Sequence, residues 1–317
     1  MAAEMCAFAP PNGDLFEGYV RYKRSLGYSI PLSYQYVLRD VSELLLEWGP
    51  TPEVLCRAAA ERLSARRAGE SVATQCKRIA IVRQLGKYLR TLGHEAYVLP
   101  EGLVRDSSTF VPRIVSVAEM SSILSASDSM GAAWRGLMLR ILWCCGLRLG
   151  EACRLELGDV DLTLGTLLVR HAKGDRTRLL PMSESLHDYV SDAVERRVAD
   201  GADGSSPLMP GPSGRPRSVG NTHSSLAKVY ARAGVLTADG RPIRTHDLRH
   251  SFAVHSLERM VAMGDDPYVA LPKLAEYMGH ADIKSTERYL RLTEDSMASV
   301  VEAQAGTSAL IFGGLAR

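Results

Sequence analysis

The chain has 317 residues, of which 46% are hydrophobic and 23% are charged, and its formal net charge is +2 at pH 7. This length allows one large or two ordinary domains with buried cores, and the composition is that of a soluble globular protein. No apolar run approaches the ~20 residues of a membrane-spanning helix, and the N-terminus lacks the basic start and apolar core of a secretory signal. We therefore expect a cytoplasmic protein with no membrane partner.

Four helices are predicted in the first 95 residues. Their spans lie near 13–26, 32–48, 52–67 and 71–92, separated by breaks at Gly27, at Gly49 and Pro50, and at Gly69. Thr51 before Pro52 is a good helix start, and Ser71 is suited to cap the fourth helix. We therefore assign residues 1–95 to a four-helix domain.

Positive charge is concentrated on the third and fourth helices. Between residues 62 and 90 there are eight lysines and arginines but only one acidic residue, which gives a local net charge of +7. Such a surface suits phosphate groups, although a pair of solvated basic helices would look the same. The predicted phosphate-facing residues are Arg66, Arg67, Lys77, Arg78, Arg83, Lys87 and Arg90.

The helical pattern is lost over residues 96–112, which we interpret as a linker. A second unit follows. Its predicted elements are helices near 116–126 and 132–145, a β-hairpin around Lys173, a loop at 200–218 with a short strand at 208–209, and further helices. The predicted fold class is mainly α with a small β-sheet.

The cysteines carry no sign of a metal site. The six residues form no CxxC pair, and two of them are adjacent in an apolar helix. They are Cys6, Cys56, Cys76, Cys144, Cys145 and Cys153. This pattern is typical of reduced core residues in a cytosolic protein, so we predict no metal site and no disulfide frame.

Several charged and polar residues of the second unit occur at informative spacings. His246, Arg249 and His250 stand at i, i+3 and i+4, which places two imidazoles and a guanidinium on one face of a helix. Arg148 follows the helix breaker Gly146, and Glu151 comes three residues later. A purely structural helix seldom uses its inner face in this way, so the pattern indicates an anionic or charge-developing ligand.

Read together, these stretches resemble the tyrosine recombinase (phage integrase) family. The shared motifs are Arg148 in G-L-R-x-x-E, Lys173 at a hairpin tip, H-x-x-R-H at 246–250, and M-G-H ending at His280 with Tyr289 nine residues later. Each motif is weak alone, but all four in the family's order over roughly residues 113–300 are a strong signal. Met278 stands where the family usually has leucine, which is a volume-conserving change.

The resemblance implies a domain organisation. Residues 1–95 would form a core-binding (SAM-like) DNA-binding domain, and residues 113–305 a mixed α/β, mostly α, catalytic domain. Residues 306–317 would form a tail that docks in trans on a neighbouring protomer. Because the tail contains the apolar run Leu310-Ile311-Phe312, packing against its own domain is the alternative.

The positive groups suit a phosphodiester that gains negative charge during cleavage. Arg148 and Arg249 are the predicted clamps, since a guanidinium is always charged and binds oxygens in pairs. His246 and His280 would donate hydrogen bonds to the same phosphate or move protons, because imidazole titrates near neutrality.

The remaining roles concern the nucleophile and its supports. Tyr289 is the predicted nucleophile, and nearby positive charge would favour its ionised form without a metal. Lys173 would protonate the leaving 5′ oxygen, a task for which a flexible, tunable amine is suited. Glu151 would orient Arg148, and His250 would support the site by hydrogen bonding.

The predicted function is site-specific DNA recombination through a 3′-phosphotyrosyl intermediate, without ATP, metal or cofactor, on behalf of a mobile genetic element. Its partners would be double-stranded DNA, further copies of the chain in a tetramer on two DNA sites, and related recombinase or accessory proteins. The alternatives are a chromosome-dimer-resolving recombinase, a type IB topoisomerase and a catalytically silent DNA-binding accessory protein. A metal hydrolase built on His246 and Asp247 is disfavoured, since the other histidines lack ligand-like spacing.

Overall fold

The computed structural model describes residues 8, 12–28, 30–48, 55–105, 112–172 and 176–279. The chain divides into two compact units, Met1–Phe110 and Val111–Arg317. Its described elements are mostly helices, with one three-stranded sheet. The predicted fold class is confirmed. None of the helices in these ranges is both long and apolar enough to cross a bilayer.

The described residues of the first unit form four helices. They are α1 (Gly13–Ser25), α2 (Leu32–Trp48), α3 (Arg57–Ser64) and α4 (Val72–Thr91). Three of them match the predicted spans closely, and the Ser71 hydroxyl caps α4 by accepting a hydrogen bond from the Thr74 N–H at 3.2 Å. The third starts later than predicted, because Leu55 lies in an extended bridge with Ala96. The predicted cap at Thr51 lies outside the described residues.

The core of the first unit forms where the four helices meet. Phe16, Leu38, Val82 and Leu85 are fully buried there. Tyr19 is 1% exposed and shares a 2.8 Å hydrogen bond with the Tyr34 hydroxyl, so it is a core residue. Burial of helical positions that recur every three or four residues is what the apolar spacing of the sequence predicts.

The predicted linker begins inside the first unit. We predicted a linker over residues 96–112, whereas the structure packs its start against α3 and α4. Leu99 is 1% exposed, and the Tyr97 N–H donates to the Leu55 carbonyl at 2.7 Å. Arg83 and Arg90 hold carbonyls of this segment from α4. Its backbone groups are therefore satisfied by the unit itself, as burial requires.

The second unit surrounds one central helix. Its first elements are α5 (Val117–Ser129), α6 (Ala133–Cys145), α7 (Leu149–Ala152) and a 3₁₀ turn (Leu157–Asp159). After the sheet come α8 (Glu184–Ala199), α9 (Val219–Arg232), α10 (Thr245–Ala262) and α11 (Pro267–Met278). α6 packs against α5, α8 and α10, and its Met138, Ile141 and Leu142 are buried in the main core.

The sheet has three antiparallel strands in the order β1 (Val160–Asp161), β2 (Thr166–Ala172) and β3 (Arg176–Pro181). The predicted hairpin corresponds to β2 and β3, which pair Leu167 with Leu180 and Val169 with Arg178. The short strand predicted at 208–209 is wrong. Leu208 and Met209 are buried, but only isolated bridges flank them, at Pro207 and Pro210.

Candidate active site

The turn after α6 begins the site. Gly146 has φ 59°, in the left-handed region, and a Cβ there would lie 2.3 Å from the Phe252 ring. Glycine alone fits both the backbone conformation and the contact. The turn places Arg148 at the N-cap of α7 and leaves the Gly146 carbonyl facing α10.

Arg249 of α10 is buried at this turn, with 1% of its surface exposed. Its Nη1 donates to the Gly146 carbonyl at 2.5 Å and its Nη2 to the Met278 carbonyl at 2.7 Å. A buried guanidinium is stable only when its donors are satisfied. These carbonyls also carry the negative ends of the α6 and α11 dipoles. Arg249 is therefore fixed between two helix C-termini.

Arg148 approaches the same point from the other side. Its Nη2 donates to the Gly279 carbonyl at 3.2 Å, and its Nη1 donates to Glu151 Oε1 at 2.7 Å. The side chain is 26% exposed, so an incoming anion can reach it. The two arginines thus bind consecutive carbonyls, those of Met278 and Gly279, at the end of α11.

Glu151 holds Arg148 in place as a carboxylate. Its side chain is 2% exposed, and its Oε2 also accepts the backbone N–H of Arg148 at 3.0 Å. Burial raises the pKa of the carboxyl, but hydrogen bonds from Arg178 and from that N–H outweigh burial and lower the pKa to about 2. Both oxygens of Glu151 therefore accept hydrogen bonds from Arg148, and the orienting role stays a prediction.

Arg178 is a site residue that the sequence motifs did not single out. From β3 it donates through Nη2 to Glu151 Oε2 at 2.7 Å, with Nη1 3.4 Å from Oε1. Its side chain is 10% exposed. The available signal was a basic residue paired across the hairpin with the apolar Val169, which marks a charge that must find a partner.

The two histidines of α10 lie in contact. Their rings are 4.6 Å apart, edge to face, with His250 buried at 4% exposure and His246 exposed. Partial desolvation and the neighbouring Arg249 lower the pKa of His246. The lowered pKa favours the uncharged imidazole, which can either donate a hydrogen bond or accept a proton.

Asp247 has a structural position instead of a ligand-like one. Its carboxylate accepts the backbone N–H and the guanidinium of Arg244, both at 2.8 Å, and so caps α10. Ser251 then links the Asp247 carbonyl to the Val115 N–H through two 2.7 Å hydrogen bonds. No group of three or more His, Cys, Asp or Glu suited to a metal ion occurs within the described ranges.

Three predicted catalytic residues, Lys173, His280 and Tyr289, lie outside the described residues, as does the tail at 306–317. Lys173 and His280 directly follow or lie between described elements in the sequence. β2 and β3 flank residues 173–175, and Gly279, whose carbonyl Arg148 binds, directly precedes His280.

The predicted phosphate-facing set needs one correction. Arg78 is 2% exposed, and its Nη2 donates to Glu70 Oε2 at 2.6 Å and to the Ala65 carbonyl at 2.9 Å. Glu70 is almost as buried, with 8% of its side chain exposed. Arg78 is therefore an internal ion-pair partner that joins α4 to the end of α3, and it does not face phosphates.

The other members of the set lie nearer the surface. Arg83 is half-buried and donates to the Leu99 and Pro100 carbonyls, whereas Lys77, Lys87 and Arg90 are exposed on α4. Arg66 and Arg67 are exposed before α4, and Arg67 pairs with Asp40 at 2.7 Å. Positive charge thus remains on the outer side of α4 after Arg78 is removed from the set.

Two anchored arginines, a histidine and a shared carboxylate thus form a cluster with net positive charge, a chemistry suited to an oxyanion such as phosphate. The model of the phage integrase family matches residues 113–296, and the chain belongs to that family. The family resemblance is therefore confirmed.

Individual relatives agree with this assignment. The putative integrase/recombinase y4rE of Sinorhizobium fredii (strain NBRC 101917 / NGR234) is 31% identical over 94% of this chain and 97% of its own length. Tyrosine recombinase XerC of Serratia marcescens is 29% identical, over 92% of this chain and 93% of its own. The crystal structure of XerH site-specific recombinase bound to palindromic difH substrate has the same fold, with a TM-score of 0.65, 19% identity, and coverage of 85% and 78%.

Proposed function

We propose that this protein is a site-specific DNA recombinase that cuts and rejoins duplex DNA through a 3′-phosphotyrosyl intermediate. One observation carries the proposal. Arg148 and Arg249, from separate helices, bind the consecutive carbonyls of Met278 and Gly279 immediately before the segment that contains His280 and Tyr289. Family membership supports it.

The chemistry is a phosphoryl transfer that balances without an external energy source. The Tyr289 oxygen attacks the scissile phosphorus and forms a phosphotyrosyl bond, its phenol proton passes to the imidazole of His246 or His280, and the bond to the 5′ oxygen breaks. Lys173 gives that oxygen a proton. A 5′ hydroxyl of the partner strand later attacks the phosphotyrosyl bond and releases Tyr289. The phosphodiester count is unchanged, so ATP is not required.

Arg148 and Arg249 would stabilise the charge that grows on the two non-bridging oxygens. Arg148 is held by Glu151 and is 26% exposed before DNA arrives, so little reorganisation of its guanidinium is needed in the transition state. His246 would donate one hydrogen bond to the same phosphate, and His280 would do so from the segment beyond Gly279. His250, packed edge-on against His246, would hold that ring in its orientation.

The partners follow from the reaction. Exchange between two duplexes breaks four strands, so four copies of the chain would act on two DNA sites, with the tail at 306–317 docking on the next protomer. We propose a mobile genetic element as the biological context. A chromosome-dimer-resolving recombinase is the second candidate, and the 29% identity to a tyrosine recombinase fits either context. Sequencing the DNA that flanks the gene separates them, since terminal repeats or an element boundary are expected only for the mobile element.

The test is covalent capture of DNA. We would incubate the protein with nicked duplexes that carry a randomised central segment, with excess EDTA present, and recover complexes that survive SDS. We expect covalent complexes to form despite the chelator, because the predicted catalytic groups are all side chains. We also expect one defined sequence to be enriched in these complexes. Loss of capture on chelation, restored by added Mg²⁺ or Zn²⁺, would contradict the mechanism.

The basic surface of α4 gives a separate prediction. Replacing both Lys77 and Lys87 by glutamine should flatten the dependence of log K for DNA binding on log salt by roughly two units, since each phosphate contact contributes about 0.9. Arg57→Gln is the control, because Arg57 is an exposed arginine of α3 outside the predicted set and pairs with Glu61. An unchanged slope in the double variant, or an equal change per charge in Arg57→Gln, would assign no phosphate contact to this surface.

A further inference from the structure

One carboxylate in the site serves two guanidiniums. Glu151 receives Arg148 from its own helix, α7, and Arg178 from β3, with a closest distance of 2.7 Å in each case. Glu151 is 2% exposed, so water contributes little to its solvation. Each carboxylate oxygen of Glu151 accepts one hydrogen bond from Arg148 and one from Arg178, so the carboxylate is held between α7 and β3.

We propose that Arg178 is a positioning residue for strand cleavage. By sharing Glu151 with Arg148 it holds the Arg148 guanidinium in its orientation and keeps the net charge of the three groups positive. It also links the hairpin of β2 and β3 to α7. The proposal deepens the recombinase function and rests on it. Arg178 is not a catalytic residue in this account, since it acts on the phosphate only through Glu151 and Arg148.

The charge balance supports this role. If Glu151 had only Arg148 as a partner, the pair would be neutral and its attraction for a phosphate would be weak. With Arg178 included, the three groups carry a net charge of +1. Because they lie largely out of water, that charge is poorly screened and acts on a nearby anion more strongly than it would at the surface.

The geometry supports it as well. Arg178 faces Val169 across the hairpin, and Val169 is 1% exposed, so the base of the hairpin is anchored in the core beside Glu151. Gly279, with φ 65°, lies against the same guanidinium, since a Cβ there would be 2.9 Å from Arg178 Nη1. α7, β3 and the end of α11 therefore meet at Arg178, and these elements lead to Arg148, Lys173 and His280.

The test compares Arg178→Met, Arg178→Lys and the control Arg170→Met. Arg170 lies on β2 of the same hairpin and also pairs with a buried carboxylate, that of Asp159, at 2.5 Å. The substrate is the duplex that the wild-type protein selects in covalent capture, and the readouts are the single-turnover cleavage rate at a series of pH values, the Kd for DNA and the thermal transition.

We expect Arg178→Met to lower the cleavage rate by about 10- to 100-fold, by analogy with the loss seen when a residue that orients a metal ligand is removed, with Kd little changed. The acid limb of its pH profile should also move upward. Glu151 would lose the hydrogen bond that most strongly lowers its pKa, so it would take up a proton, and release Arg148, at a higher pH than in the wild type. Arg178→Lys, which keeps the charge, should recover part of the rate.

A wild-type rate and pH profile in Arg178→Met would overturn the proposal. So would an equal loss of rate in Arg178→Met and Arg170→Met when the acid limb of Arg178→Met does not move. If Arg178→Met does not fold, Arg178→Lys decides, and a wild-type rate in that variant would likewise overturn it. Failure of the recombinase function is distinguishable, because the wild-type protein would then form no covalent complex at all.

Discussion

Tyr289→Phe is expected to bind the target duplex as tightly as the wild type and to form no covalent complex with it. The substitution removes one oxygen and keeps the ring, so contacts made by the ring persist while the nucleophile is lost. Gel-shift titration measures binding, and SDS-resistant complexes measure the covalent link.

Tyr277→Phe is the matched control for this variant. Tyr277 lies on α11 near the site, with its ring stacked 5.5 Å from that of Phe252. Burial and the neighbouring Cys145 raise the pKa of its phenol, which makes the ionised, nucleophilic form less accessible. Tyr277→Phe should therefore still form the covalent complex. Persistence of the complex in Tyr289→Phe, or its loss in Tyr277→Phe alone, would place the nucleophile elsewhere.

Arg148→Ala is expected to reduce the single-turnover cleavage rate by about 10²–10³-fold, the usual effect of removing one preorganised donor to a charged transition state. The fold should survive this change. Glu151 keeps Arg178 as its partner at 2.7 Å, so the variant does not leave an unpaired buried carboxylate. The thermal transition and the Kd for DNA check that the loss lies in the chemical step.

Arg154→Ala is the control for Arg148→Ala. Arg154 is an exposed arginine six residues along the chain, just after α7, so its removal changes the net charge equally. We expect a cleavage rate close to that of the wild type. Equal losses in the two variants would mean that general electrostatics, and not the placement of Arg148, governs the rate.

The parts of the fold that sequence predicts well are local. Apolar spacing within α2 and the hydroxyl of Ser71 before α4 act over one or two helical turns. A short segment of sequence is therefore enough to predict these two helices. The late start of α3 and the packing of residues 96–100 could not be predicted in this way, because both depend on the pairing of Leu55 with Ala96, 41 positions further along.

The same distinction applies to charged residues. Arg78 carries the same charge as the exposed Lys77 before it, and only the folded contact with Glu70 shows that Arg78 is internal. The contact between Arg148 and Glu151 could be predicted from the family motif and from helical spacing, because the two residues are three positions apart. The contact of Arg178 with Glu151 spans 27 residues and depends on hairpin register, which no local pattern specifies.

The most direct measurement is the identity of the DNA-linked peptide. Covalent complexes formed by the wild-type protein in EDTA would be digested with nuclease and protease, and the modified peptide sequenced by mass spectrometry. We predict a single modified residue, Tyr289 in the stretch STERYLRL, joined to the 3′ phosphate of the cleaved strand. A link through another residue, or to a 5′ phosphate, would contradict the proposed mechanism.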